Sequence, residues 1–433
     1  MEKKTGRMKV NKLFPKSDFS KNVSVLVMGT ALSQAIPFLI LPVLQRWFYS
    51  PHDFGIFSLF VSISSPLIVI ASLKYEYAIV LSKNRIEAIN IFFLCLILIL
   101  IISFLFLLAT LFFKAGILNL DIDKDIISYL WILPLIILFA GLYEVFNYWN
   151  TYTRKYNKIS NSKIYQSLSS ESVKLLGATI KLGGFGLIIG RVFGQFVSVF
   201  YLSYIFLKEF KDEFTYISAK EMKRLAIHYI HFPSFTMPTV FVSTLCSTLF
   251  SMMIIQYFGT ELLGIVSAST QYVAVPLGII TSSFSNVFYQ KIATIHSRDE
   301  MLKLYKSLGL RLMMVSILFT GLVYSIPEKF IVFILGEQWS PLIDFLKIFI
   351  ISLSFSFVSS SLSFIYTRLM KQRIMLLFAI LQLLLTYFSI FLGNYLFGKP
   401  IETLWIYTIS QSFYYLLTIF AAIRFIKTSK ELS

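Results

Sequence analysis

SKNVSVLVMGTALSQAIPFLILPVLQRWFYSPHDFGIFSLF, residues Ser20 to Phe60, decides how the rest of the chain is read. No charged residue lies between Asn22 and Arg46, and the run exceeds the ~20 residues a helix needs to cross a hydrocarbon layer about 30 Å thick. The stretch spans a membrane. It nevertheless carries Gln34, Pro37 and Pro42 and ends on Arg46. A polar side chain and two helix-breaking prolines in mid-bilayer need compensation from neighbouring helices or from a water-filled cavity. The segment reads as a gate helix lining a cavity.

Composition supports this outward from the first span. The 433 residues are 57% hydrophobic and 14% charged, which excludes an ordinary soluble globular protein and a disordered chain alike. The chain is an all-α polytopic membrane protein. Its formal net charge of +17 would suit nucleic acid only on a soluble domain with a basic face or a stacking platform. No stretch is long and polar enough for one, so no nucleic-acid partner is expected. Cys95 and Cys246 sit in apolar runs, where inert thiols are expected and neither a disulfide nor a metal site is. The leading MEKKTGRMKVNKLFPKSDFSK is basic, but the apolar run after it is too long for a signal-peptide core. It reads as an uncleaved leader.

Apolar runs broken by charge, Gly and Pro give about twelve spans: 22–48, 54–81, 88–112, 126–152, 164–182, 184–207, 232–258, 262–290, 308–335, 341–366, 374–397 and 401–426. About 28 of the 39 Lys and Arg fall on the side of the leader, Lys83, Arg85, the RKYNKISNSK loop and the C-terminal tail. The opposite loops hold little beyond Lys114, Lys124, Lys329 and Lys399. By the positive-inside rule the richer side is cytoplasmic, with both termini there and the chain in the cytoplasmic (inner) membrane. The plan is a leader over 1–21, an N-lobe of six spans over 22–207, a linker over 208–231, a C-lobe of six spans over 232–426 and a tail over 427–433. In the linker, AKEMKRLAIHYIH has apolar residues at helical spacing and a basic face, which predicts a helix lying on the membrane surface. His228 and His231 within it are expected to pack at the interface.

The halves echo one another. WFYSPHDFGIFS, from Trp47, aligns with QYFGTELLGIVS, from Gln256, and Pro37 and Pro42 are echoed by Pro233 and Pro238 at the same spacing. The two echoes need different offsets. They suggest a six-plus-six duplication, with the substrate site between repeats.

HFPSFTMPTVFVSTLCSTLFSMMIIQYFGTELLGIVSASTQYVAVPLGIITSSFSNVFYQK resembles a stretch of polysaccharide-export flippases, with its Pro pair, aromatic-Gly loop and closing VF. So do LPVLQRWFYSPHDFGIFSL with LKYEYAIVL, TRKYNKISNSKIYQ, and ILGEQWSPLIDFLKI. In this order they cover nearly the whole chain, which is similar to the Wzx-type O-antigen flippases of the oligosaccharidyl-lipid/polysaccharide exporter superfamily. The resemblance implies two six-helix lobes around a central cavity lined by spans one, two, seven and eight. It implies as substrate an undecaprenyl-pyrophosphate-linked glycan, turned across the bilayer, with a polysaccharide polymerase and a chain-length regulator as further partners.

Moving a diphosphate-linked glycan through hydrocarbon requires a wet, cationic path. The cations within or at the ends of spans are Arg46, Lys74, Lys174, Lys181, Arg191 and Arg311. Counted at ~1.5 Å per residue from Ile164, Lys174 lies ~15 Å deep, close to the midplane. It is the first choice for a substrate-path cation, against an ion pair with Glu171 one turn back. Arg191, ~10 Å from the other face, lies in GRVFGQ, whose small residues allow close helix approach. Lys181 and Arg46 sit near that face, where snorkelling or anchoring competes with substrate contact. Arg311 reads as an interface anchor. Lys74 and Glu76, two apart, cannot share one helix face and are expected to serve different neighbours. The substrate-binding set is therefore Lys174, Arg191, Arg46, Lys74 and Lys181. Glu76, Glu144 and Glu171 are the in-span candidates for ion coupling. Ser167, Ser169, Ser170 and Ser172, with Gln34, Asn147, Gln195, Gln271 and Asn286, offer groups for sugar hydroxyls or for helix–helix contacts. No Gly-rich nucleotide loop occurs, and no cofactor is expected.

Two other functions compete. A drug or small-molecule exporter of the same superfamily would favour an acidic or aromatic cavity. A membrane-embedded polysaccharide polymerase or ligase would ordinarily show a large outward loop, and the loops here are short. Transport without catalysis is the expectation.

Overall fold

The computed structural model describes residues 18–112, 128–209, 215–293, 295, 297–369 and 371–429. The leader over 1–17, Lys114, Lys124, the tail over 430–433 and the side chain of Asn286 lie outside the described residues.

Helix α1 (Asp18–Trp47) continues through Pro37 and Pro42. The turn after it is set by local chemistry. Ser50 accepts from the Asp53 amide while the Asp53 carboxylate accepts from the Ser50 amide at 2.9 Å, and Pro51 takes the first position of α2 (Pro51–Ala71). This capping box satisfies two otherwise orphaned donors and starts the second span abruptly.

The expected span 54–81 is broken. Leu73 and Lys74 adopt φ of 51° and 63°, left-handed values that cost roughly 1–2 kcal/mol for a residue with a side chain, and the short helix α3 (Glu76–Leu81) follows. An ion pair offsets the strain: Lys74 Nζ lies 3.1 Å from the Glu76 carboxylate, which also accepts from the Ser72 hydroxyl at 2.5 Å. The expectation that Lys74 and Glu76 serve different neighbours is thus overturned, because it assumed a continuous helix and the left-handed Leu73 and Lys74 break it.

The N-lobe continues with α4 (Arg85–Phe112), α5 (Leu133–Tyr152), α6 (Tyr156–Thr179) and α7 (Gly184–Glu209). The linker forms α8 (Ala219–His228), which buries Leu225 and packs on α4, with Arg224 bonded to Glu221 and Glu87. Those two carboxylates raise the Arg224 pKa above an arginine's ordinary value. One π-helical turn, Phe232–Thr236, precedes α9 (Met237–Phe258). Then come α10 (Thr260–Ala293), α11 (Arg298–Tyr324), α12 (Glu328–Leu335), α13 (Leu342–Ser361), α14 (Phe364–Arg368), α15 (Gln372–Phe397) and α16 (Pro400–Thr428). The expected span 308–335 is therefore two helices, parted before Pro327.

Among the described residues, eleven segments are long and apolar enough to cross a membrane. The twelfth crossing element is α6. Its 24 residues suffice in length, but Lys158, Lys163, Glu171 and Lys174 make it too polar to face lipid. It is packed instead between α1 and α7. The α6–α7 contact is close because Gly190 and Gly194 face it. A Cβ on Gly190 would lie 2.5 Å from the Lys174 Cγ, and one on Gly194 would lie 2.7 Å from the Gln166 carbonyl oxygen.

The lobes meet chiefly through α2 with α10 and α9. At the end of the molecule bearing the Tyr49 loop, a Cβ on Gly55 would come 2.0 Å from the Thr260 carbonyl oxygen, and one on Gly264 would come 1.8 Å from that of Pro51. One turn further in, Ser58 donates to Ser267 at 2.5 Å. Gly55 aligns with Gly264, and Ser58 with Ser267, in the echo between halves. Equivalent residues touch, as happens where two like helices cross on a two-fold axis. Phe54 meets Trp339 edge to face, and the Trp339 indole donates to the Gln45 carbonyl at 3.1 Å. The lobes are closed at this end.

Candidate substrate cavity

A cavity of about 510 Å³ opens inside the N-lobe. Its wall is assembled by α1, α2, α5, α6 and α7, with Gln271 reaching in from α10. Helix α6 supplies most of the chemistry: Lys163, Ser167, Ser170 and Lys174 recur at steps of four, three and four residues, which places them on one helix face. The face is polar because it is turned to this cavity and away from lipid.

Lys174 lines the cavity and pairs with Glu171 at 2.6 Å, with its ammonium 5.5 Å from the centre of the Phe57 ring. Its depth differs from the sequence estimate. Helix α6 starts at Tyr156 and ends at Thr179, so Lys174 stands about 7–8 Å from the far end of its helix, away from the midplane. Polar residues hid the first two turns of α6 within an apparent loop. Lys163 was hidden with them. It lines the cavity and donates to the Thr30 hydroxyl at 3.0 Å. The four-three-four polar stripe is the sequence signal that marks it.

Arg191 occupies the decisive position. It lines the N-lobe cavity and also a second chamber of about 580 Å³ that lies between the lobes. Its guanidinium has no hydrogen-bond or ion-pair partner among the described residues, and its Nε is sealed from solvent. The residue is half-buried and lines both spaces. A lipid-facing arginine at such depth would cost about 2.5–3.5 kcal/mol on insertion scales. On a cavity wall the guanidinium escapes that cost.

The other expected cations lie elsewhere. Arg46 donates to the Val332 carbonyl at 3.2 Å and to that of Phe333, near the C-terminal end of α12, so it ties the lobes together at the closed end. Lys181 is exposed in the turn after α6, with φ of 57°. Lys74 is held by Glu76 away from both cavity walls. Of the carboxylates, Glu76 and Glu171 are buried in their pairs. Glu144 has no direct partner among the described residues and lies within electrostatic reach of Lys74, Glu76 and Lys163.

Of the polar residues, Gln34 lines the N-lobe cavity with its carbonyl oxygen unsatisfied, and Gln271 lines both spaces. Gln195 is bonded to Gln166 and Ser167 donates to the Ser33 carbonyl at 2.7 Å, which makes these two helix–helix contacts. The chamber between the lobes is lined by spans two, six, seven, eight, ten, eleven and twelve. The expected lining of spans one, two, seven and eight therefore differs: span one lines the N-lobe cavity instead, and spans six, ten, eleven and twelve join this chamber's wall.

The family model described as polysaccharide biosynthesis protein matches residues 43–344, well over half of the chain. The chain belongs to the polysaccharide biosynthesis protein family. No curated protein matches it significantly. Solved structures show the fold of this family member. A multidrug-resistance MATE transporter of the MOP superfamily in its inward-facing form superposes with a TM-score of 0.70 at 14% identity, covering 95% of this chain and 99% of that one. An inward-closed form of the lipid II flippase MurJ gives 0.70 at 14% identity, covering 92% and 87%. An outward-facing MATE form gives 0.60 at 13% identity, covering 95% and 96%.

Proposed function

We propose that this family member is a flippase, which carries an undecaprenyl-pyrophosphate-linked oligosaccharide, an O-antigen or related repeat unit, across the cytoplasmic membrane by alternating access. The observation that carries this reading is Arg191, an unpaired cation on the wall shared by two cavities. Lys163, Lys174 and Arg191 against Glu171 leave two net positive charges around the N-lobe cavity, matching the roughly two negative charges of a diphosphate diester. An exporter of organic cations would need the opposite sign.

In this reading the Tyr49 end is periplasmic, the basic loops are cytoplasmic, and the state described is open inward. The diphosphate binds Arg191, with Lys163 and Lys174 facing the same space. Rocking of the lobes then parts Gly55 from Thr260 and Arg46 from α12 and opens the outer side. Glu144, not tied in a direct pair, is the carboxylate assigned to ion coupling. The test is leaflet accessibility of a labelled undecaprenyl-pyrophosphate glycan in vesicles. Protein should speed its exchange between leaflets, and Arg191→Ala should remove the effect. Equal exchange with and without protein sinks the proposal.

A further inference from the structure

We infer that the glycan carried by this protein is built of uncharged sugars. The inference rests on the flippase reading above and concerns the chamber between the lobes. Eight serines stand on the chamber wall, and apart from Arg191 at its junction with the N-lobe cavity, no Lys, Arg, His, Asp or Glu lines it among the described residues.

Hydrogen-bond direction sharpens the point. Ser62, Ser65, Ser243 and Ser352 each donate to a carbonyl three or four residues back on their own helix, at 2.8, 2.7, 2.9 and 3.2 Å. Deeper in the wall, Gln382 donates its amide to Gln411 at 3.2 Å, and Gln411 donates its own to Thr386 at 3.1 Å. With these protons already engaged, these groups offer the chamber oxygen lone pairs. A sugar hydroxyl is a donor and suits such a wall. A carboxylate has only acceptor oxygens and does not. Arg191 is taken by the diphosphate, so a uronic acid would enter the chamber without a counter-charge, which is costly in a partly dehydrated space. Phe250, Phe349 and Tyr407, with ring centres 4.8 to 6.2 Å apart, add flat apolar surface suited to the C–H face of a pyranose.

The test uses the full-length protein in vesicles with two probes: undecaprenyl pyrophosphate bearing a neutral oligosaccharide, and the same lipid with a terminal uronic acid. The neutral probe should move at least about tenfold faster. Equal rates, or a faster acidic probe, overturn the inference and leave the flippase reading standing. Movement of neither overturns both. Ser247→Lys, at a wall position open to the chamber, supplies the missing cation and should speed the acidic probe about fivefold. If that variant still moves the neutral probe and leaves the acidic rate unchanged, the chamber is not where the sugar sits.

Discussion

The cavity within the N-lobe and the chamber between the lobes are close in volume, about 510 and 580 Å³, and share Arg191, yet their walls have little else in common. The first carries three cations and a carboxylate, all on α6 and α7. The second carries hydroxyls, amides and aromatic rings. A headgroup that is charged at one end and hydroxylated at the other needs two such environments side by side. The difference teaches that one protein can set a charged wall beside an uncharged hydroxylated one; under the proposed function the first would answer phosphate and the second would replace the water around sugar.

Each prediction puts that contrast at risk. The largest effect falls on the charged side. Lys174→Ala leaves the Glu171 carboxylate buried without its partner, which should cost about 3 kcal/mol of stability. Adding Glu171→Gln should restore most of it, as thermal unfolding in detergent would show. Failure of that rescue would mean that Lys174 is not structurally paired. Next, Arg191→Ala should slow flipping about 100-fold, the loss of a charge-assisted contact of about 2.7 kcal/mol, while folding is unharmed because no protein partner is orphaned. A matching fall in stability would make Arg191 a structural residue. Gly264→Ala places a methyl against the Pro51 carbonyl and should shift the lobes toward the outward-open form about tenfold. A cysteine in α2 should then label faster from the Tyr49 end. The smallest effect belongs to Arg46→Ala, which removes two bonds to α12 and should change flipping by about threefold at most. A loss as large as that at Arg191 would return Arg46 to the substrate path.

Much of the fold was legible before any coordinates. The helical membrane-spanning plan follows from hydropathy, with eleven segments apolar enough to cross among the described residues. The echo between Trp47–Ser58 and Gln256–Ser267, read as a sign of duplication, holds residues that the structure brings together across the lobes. What misled was the assumption that polarity ends a span. It hid the first turns of α6, and with them Lys163, inside a loop, and it placed Lys174 too near the midplane. The candidate site was legible as a set of cations and not as a constellation. Lys174 and Arg191 come to one cavity, whereas Arg46, Lys74 and Lys181 go to a helix end, an ion pair and a turn.

By itself the sequence determined that this protein crosses a membrane many times and which spans carry charge, because hydrophobic length and charge placement act locally along the chain. Only the tertiary structure decided which charges are answered and which stand free. Glu76 reaches Lys74 through a left-handed bend, Glu171 reaches Lys174 along one helix, and nothing reaches Arg191 among the described residues. The i,i+3 spacing offered the Glu171–Lys174 pair beforehand, but the bend that joins Lys74 to Glu76 and the isolation of Arg191 depend on side-chain distances of a few ångströms set only by folding.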